Sequence, residues 1–246
     1  MTRLLTLVPS HYCEKARLAL RQARLPFEET AYLPLEHVAP MRWRTGRTST
    51  PALLADDGAV VQDSTKILQW IQAHPEAAWR PYAAGPAALE LEERFDDAVG
   101  PAVRRIMYFY LLQDDRLARE TLSGWRAGWQ GRLYGVAYPV VKAALRSGLG
   151  LDAARTARSV AKLDAALDEV DATLADGRTW LVGDALSAAD LTLAALLSPL
   201  LLHPAYPAPL PPVEAVPAGL AEIVRRIAAR PAGQHATRVY GALRAG

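Results

Sequence analysis

Apolar residues follow two different rules along this chain. Over roughly the first eighty positions they form short clusters broken by polar residues and prolines, and beyond that they recur every three or four residues over long stretches. Leu4 to Val8 reads as a short apolar strand. A helix follows with an inward stripe of Cys13, Ala16, Leu20 and Ala23, and it ends before Pro26. A second strand, Phe27 to Leu33, leads into an Arg-rich loop through Arg42, Arg44 and Arg47. After Pro51, the segments 52–55 and 59–61 read as a β-hairpin turning on Asp57-Gly58. Ser64 opens another helix, with Ile67, Leu68 and Ile71 on one face and an end near His74-Pro75. The expected order is β-α-β, loop, β-β-α.

From Pro86 onward the pattern is helical throughout. Val160, Leu163, Leu167, Val170 and Leu174 make one apolar seam that has to pack on neighbouring helices. Further on, Ser187 and Asp190 have capping-box spacing, with Asp in place of the usual Glu or Gln, and Leu186 and Leu191 have the spacing of a hydrophobic staple. Pro75, Pro81, Gly85 and Pro86 mark a linker between the two regimes. The pattern therefore predicts an α/β domain over residues 1–79 and an all-helical domain over 86–246. The longest uncharged run, Leu191 to Val213, is broken by prolines, and its apolar part to Leu202 has the length of a buried core helix rather than a membrane span. An irregular Pro199 to Pro217 segment, a short helix from Leu220 to Arg230 and a C-terminal tail complete the reading.

Composition narrows the function classes. The chain has 246 residues, 51% apolar and 22% charged, which suits soluble globular domains with proper cores. Its formal charge of +2, from 28 basic and 26 acidic residues, is too small for the strong positive field of a nucleic-acid binder. Cys13 is the single cysteine, so an intrachain disulfide and a metal site built from several cysteines are both excluded. The apolar stretch at Leu4 to Val8 is shorter than that of a secretory signal, and a cytoplasmic protein without a membrane partner is expected.

Three segments carry candidate chemistry. Ser10-His11-Tyr12-Cys13 lies where the first strand hands over to a helix. A helix N-terminus offers unpaired amides and the positive end of the helix dipole, which stabilise a thiolate. Thr50-Pro51-Ala52-Leu53-Leu54 precedes the hairpin, and Gln62-Asp63-Ser64 begins the next helix, where exposed amides can hold a carboxylate. Taken singly, each has an ordinary explanation: Ser10 and Ser64 as helix caps, and Pro51 as the start of an edge strand.

Taken together, in this order and at these strand and helix ends, the three segments resemble the serine-type glutathione S-transferases of bacterial kind, and more distantly the Cys-x-x-Cys of glutaredoxins. The capping-box segment Trp180 to Leu191 resembles the same family's second-domain motif. The resemblance implies a thioredoxin-like domain followed by a helical bundle, assembled as a homodimer. It also implies glutathione as co-substrate, no metal, and a detoxifying transfer to a small hydrophobic electrophile. By the same resemblance Ser10 donates a hydrogen bond to the sulfur of glutathione, and Thr50, before a cis Pro51, pairs with its backbone. Asp63 and Ser64 take the γ-glutamyl end, and Tyr12 and Tyr108 are the candidates for the electrophile pocket. Among the aromatics of that region, Phe109, Tyr110, Trp125 and Trp129 read mainly as core. Cys13 falls on the inward stripe and reads as a small core residue. A binding protein that keeps the fold without turnover and a glutathione-dependent thiol reductase stand as alternatives. The resemblance fades over 116–150 and after Leu202, and the sequence leaves open whether these stretches reshape the pocket or the dimer surface.

Overall fold

The computed structural model describes residues 1–124, 126 and 128–245. Its first part runs β1 (Arg3–Leu7), α1 (His11–Gln22), β2 (Glu28–Tyr32), α2 (Val38–Thr45), β3 (Ala52–Leu54), β4 (Val60–Gln62) and α3 (Ser64–Ala73). The strands form one sheet in the order β2-β1-β3-β4, with β1 and β2 parallel and the β3 and β4 edges antiparallel. Successive side chains of a strand point to opposite faces. Leu4 packs with Ala16, Leu20 and Ile67 on one side of the sheet, and Leu5 packs with Tyr32, Met41 and Ala52 on the other. Both faces are thus covered, which explains why β1 is apolar without alternation.

Two features depart from the sequence reading. The Arg-rich segment is not a loop but the eight-residue α2, ended by Gly46 in the left-handed conformation at φ 74°. Met41 is its one buried residue, so the helix carries almost no apolar periodicity to detect. Beyond the short helix α9 (Ala218–Ala228), the expected tail is a further helix, α10 (Pro231–Ala245), which buries Ala236, Val239, Tyr240 and Leu243.

The helical part comprises α4 (Pro86–Leu111), α5 (Asp115–Ser123), α6 (Trp129–Leu149), α7 (Ala153–Leu174), α8 (Ala188–Leu197), α9 and α10. Every residue of α8 is buried, and α4, α1 and α10 pack around it. The seam read on α7 meets this core through Leu163, Leu167 and Val170. The capping box forms as expected, and its carboxylate does more than cap. Asp190 Oδ2 accepts from Ser187 N and Oγ at 3.0 and 2.6 Å, and Oδ1 accepts from Leu181 N at 2.8 Å and lies 2.9 Å from His235 Nε2. One buried carboxylate therefore holds the start of the central helix, the loop before it and α10.

The segment between the two parts is an interlock rather than a loose tether. Trp79 is buried and its Nε1 donates to Leu186 O at 3.0 Å, Ala78 N donates to Ala23 O at 2.9 Å, and Ala188 N donates to Pro81 O at 2.8 Å. By contrast, α6 presents Trp129, Leu133, Val136 and Val140 to the exterior. Trp129 was expected in the core and is exposed, and Trp125 lies outside the described residues. Among the described residues no helix is long and apolar enough to cross a membrane.

Removing the Asp190 carboxylate leaves several buried donors without an acceptor. We expect Asp190→Ala to lower unfolding free energy by about 3 kcal/mol, and Ser187→Ala by about 1 kcal/mol. Urea titration of both variants checks the ranking, which reverses if Asp190 acts only as a cap.

Candidate active site

At the end of β1 the backbone turns through Pro9 and Ser10 into α1, and Ser10 N donates to Leu7 O at 3.1 Å. Ser10 is the N-cap, but its Oγ accepts from Cys13 N at a long 3.4 Å, so the cap bond is weak. The hydroxyl stands at the positive end of the α1 dipole, beside amides that lack an intrahelical partner. Cys13, one turn further in, is fully buried, and its Sγ accepts from Leu7 N at 3.3 Å. Burial pushes its thiol up, against the lowering influence of Arg17 and of hydrogen bonds from Ser10, Leu7 and Thr50. This is the environment of an unreactive core thiol.

Ser10 and Thr50 line one cavity of about 290 Å³, together with Tyr12 and Tyr108. The Thr50–Pro51 peptide is cis, so the family expectation for that bond holds. Met107 and Leu111 on α4, Leu122 on α5, and Leu145 and Leu149 on α6 make the cavity largely apolar. Pro199, Tyr206 and Leu210 close another side. Both stretches in which the resemblance faded, 116–150 and the proline-rich run, thus contribute wall to this cavity.

Pro51, Asp63 and Ser64 stand next to the cavity lining rather than in it. Asp63 N donates to Pro51 O at 3.1 Å, which ties the start of α3 to the cis peptide. Here the structure corrects the expected cap. Asp63 is the N-cap, its Oδ1 accepting from Thr65 N at 2.9 Å and Lys66 N at 3.4 Å, while Ser64 is the first helical residue and is buried. Asp63 has φ 98°, a region that non-glycine residues rarely occupy and that tends to appear at functional positions. Oδ2 of the exposed Asp63 carries neither cap bond. Arg42 and Arg44 donate to carbonyls of their own segment, Gly46 O and Pro40 O.

Tyr12 donates its hydroxyl to Asp96 O at 3.0 Å. Its ring sits so close to α4 that a Cβ at Gly100 would collide with the hydroxyl, which explains a glycine in mid-helix. Burial raises the Tyr12 phenol, with the Asp96 charge adding to the effect, and burial likewise raises Tyr108. Both stay protonated at neutral pH.

Behind Tyr12 lies a buried charge cluster that sequence reasoning missed. Lys15 pairs with Glu92 and, at 2.6 Å, with Asp96, and Thr65 Oγ1 donates to Glu92 at 2.7 Å or Asp96 at 2.9 Å. Tyr82 reaches Glu92 at 3.4 Å. Burial pushes the Asp96 carboxyl up although Lys15 opposes it. A signal existed: Glu92 falls in register with the buried Ala88, Phe95 and Val99 of α4, so it sits on the inward stripe. His11 and Arg104 also line the cavity; His11 stood inside the first candidate segment without an assigned role, and Arg104 belongs to no motif.

A family model described as glutathione S-transferase, N-terminal domain, matches residues 4–79, and one described as glutathione S-transferase, C-terminal domain, matches residues 153–226. Together they cover more than half of the chain. No curated protein matches. Among solved structures, the β-etherase LigF from Sphingobium sp. strain SYK-6 aligns at 20% identity over 96% of this chain and 98% of its own, with TM-score 0.61. A glutathione S-transferase from Methylobacterium radiotolerans, in complex with glutathione sulfonate, aligns at 22% identity over 96% and 94%, with TM-score 0.56. One from Methylobacillus flagellatus, with glutathione bound, aligns at 18% identity over 96% and 98%, with TM-score 0.53. At these identities the likeness is one of fold.

His11 gives the site a measurable acid response. Burial, reinforced by Arg104, lowers its pKa from 6.5 to about 3, so the folded chain keeps the ring neutral where the unfolded chain protonates it. The contribution to stability is complete above the unfolded value and is lost as pH falls toward the folded one. We expect it to remove about 2 kcal/mol between pH 7 and pH 5. Urea titrations at both pH values should find His11→Gln losing less than wild type by that amount.

Proposed function

We propose, for a chain that belongs to the glutathione S-transferase family, that it binds glutathione and activates the thiol for attack on a hydrophobic electrophile. The observation that supports this most is a single cavity lined at one side by Ser10 and Thr50 and at the other by apolar side chains of α4, α5 and α6. A tripeptide running along Thr50 toward Asp63 would bring its cysteinyl sulfur to the start of α1 and leave an apolar chamber open beside it. The solved relatives that carry glutathione or its sulfonate support the same occupant.

In this reading Ser10 Oγ donates to the sulfur, and together with the dipole of α1 it stabilises the thiolate. The weak cap bond to Cys13 N leaves the hydroxyl available for that role. Thr50 pairs with the cysteinyl backbone in the manner of an added strand. The free Oδ2 of Asp63 faces the γ-glutamyl ammonium, and the amides opening α3 face its carboxylate. Tyr12 and Tyr108 stay protonated and bound the electrophile side. Transfer forms a carbon–sulfur bond and expels the electrophile's leaving group with its electron pair, the thiol proton having passed to solvent. Reduction through Cys13 draws no support from a thiol that is fully buried and held protonated. Homodimeric assembly belongs to the same proposal, and sedimentation velocity tests it.

Ser10→Ala should lower kcat with 1-chloro-2,4-dinitrobenzene by about 100-fold, as removal of one donor to a developing anion does elsewhere, and should leave glutathione affinity within about threefold. Glutathione binding without turnover across a panel of electrophiles, and with no effect of Ser10→Ala, would select the binding-protein reading. Asp63→Ala should instead raise KM for glutathione by about 10-fold, consistent with loss of one charged hydrogen bond.

A further inference from the structure

The cavity is apolar in its walls but not in its chemistry. Arg104 lies on α4 and lines it, on the same helical face as Met107, Tyr108 and Leu111, which follow three, four and seven positions later. Among the described residues this guanidinium has no carboxylate partner and donates no hydrogen bond. Arg104 is exposed, whereas among the described residues the buried cations that α1 brings to the seam are paired: Lys15 with Glu92 and Asp96, and Arg17 with Glu14 and Glu29.

A second, independent feature points the same way. His11, also lining the cavity, is only 4% exposed, and its Nε2 has no hydrogen-bond partner. Across the chamber Thr121 Oγ1, from a residue equally buried, is likewise unpartnered. Buried polar atoms are nearly always satisfied, so orphans gathered around one cavity mark groups that a ligand completes. A wholly apolar electrophile would cover Arg104 and leave the orphan atoms dry, at a desolvation cost for each. An apolar body carrying one anionic group would instead give the guanidinium a forked partner and His11 Nε2 an acceptor.

We propose that the electrophile taken by this cavity is an amphipathic carboxylate, an aromatic or similarly apolar body whose carboxylate is held by Arg104 and His11. This rests on the transferase reading above and adds the substrate class. Arg104 acts by binding the substrate. In the reaction the thiolate attacks the electrophilic carbon, the carbon–sulfur bond forms, the bond to the leaving group breaks with its electron pair, and the carboxylate is unchanged.

The test uses 4-chloro-3-nitrobenzoate and its methyl ester, which share a ring and a leaving chloride and differ in charge. Wild-type KM should be lower for the acid, and Arg104→Gln should raise KM for the acid by about 10- to 100-fold while moving that of the ester and of glutathione by less than about threefold. Calorimetric binding of the unreactive 4-methyl-3-nitrobenzoate, with and without glutathione, should weaken by the same factor in the variant. Equal effects on acid and ester overturn the proposal. So does a rise confined to the KM of glutathione, which would give Arg104 to the glycyl carboxylate instead. Failure of glutathione to bind at all, with Arg104-dependent binding of the benzoate intact, would sink the transferase reading and leave the carboxylate site standing.

Discussion

The burial of α1 on both of its faces is the constraint on which the rest of this structure depends. Its apolar stripe packs on the sheet, as any helix of this kind must, but the opposite face carries Glu14, Lys15 and Arg17 and lies against the helical bundle rather than in water. Each charge there has to meet a partner at that seam or carry an uncompensated desolvation cost of several kcal/mol. Lys15 finds Glu92 and Asp96 on α4, Arg17 finds Glu29 on β2, and Glu14 accepts from Tyr240 on α10 at 2.7 Å. The pairings of Lys15 and Glu14, which cross to the bundle, contribute less to net stability than to uniqueness: only one docking of the bundle satisfies both at once. They fix the axis of α1, and with it the position of Ser10 at the helix start.

The same logic, inverted, describes the cavity. Most polar groups at the seam are matched to one another, whereas three around the cavity are matched to nothing among the described residues: His11 Nε2, Thr121 Oγ1 and His37 Nδ1 all stand without partners there. A low-dielectric wall strengthens whatever electrostatic contact is made inside it. Asp96 Oδ1, Tyr134 Oη, Thr192 Oγ1 and Arg244 Nε also lack partners, but none of these residues lines the cavity; three orphans around one chamber are what set it apart.

Sequence patterning reached the strands, the hairpin, the seam on α7 and the capping box, because each is a local rule written in neighbouring residues. The segments around Ser10, Thr50-Pro51 and Asp63-Ser64 were also legible, since loop-to-helix junctions have short, recognisable grammars. What escaped is non-local. The helical stripe of α1 revealed one buried face, and nothing in its periodicity announced that the charged face is buried as well. The short α2 escaped because Met41 alone anchors it, and α10 because alanine-rich helices bury little per turn. Arg104 and His11 became visible only when α1 and α4 were brought to the same cavity. Assigning the cap to Ser64 rather than Asp63 was a one-position error, since both residue types cap well and only the hydrogen bonds from Thr65 N and Lys66 N to Asp63 Oδ1 decide between them.

The helix pair α5–α6 rests mainly on a small apolar cluster, in which Leu112, Ala118, Leu122, Tyr134, Tyr138 and Val141 pack together with Leu33, while Leu117 of α5 joins the core around α8. Yet the pair's inner side supplies Thr121, Leu122, Leu145 and Leu149 to the chamber wall. Foldability and the shape of the chamber are therefore inherited largely through different parts of the chain. A graft replacing the hairpin between Leu112 and Leu151 would recut one side of the chamber while the Asp190 junction and the charged seam of α1 went on specifying the architecture. In such a scaffold, the chamber changes shape by exchange of a peripheral cassette rather than by renegotiation of the core.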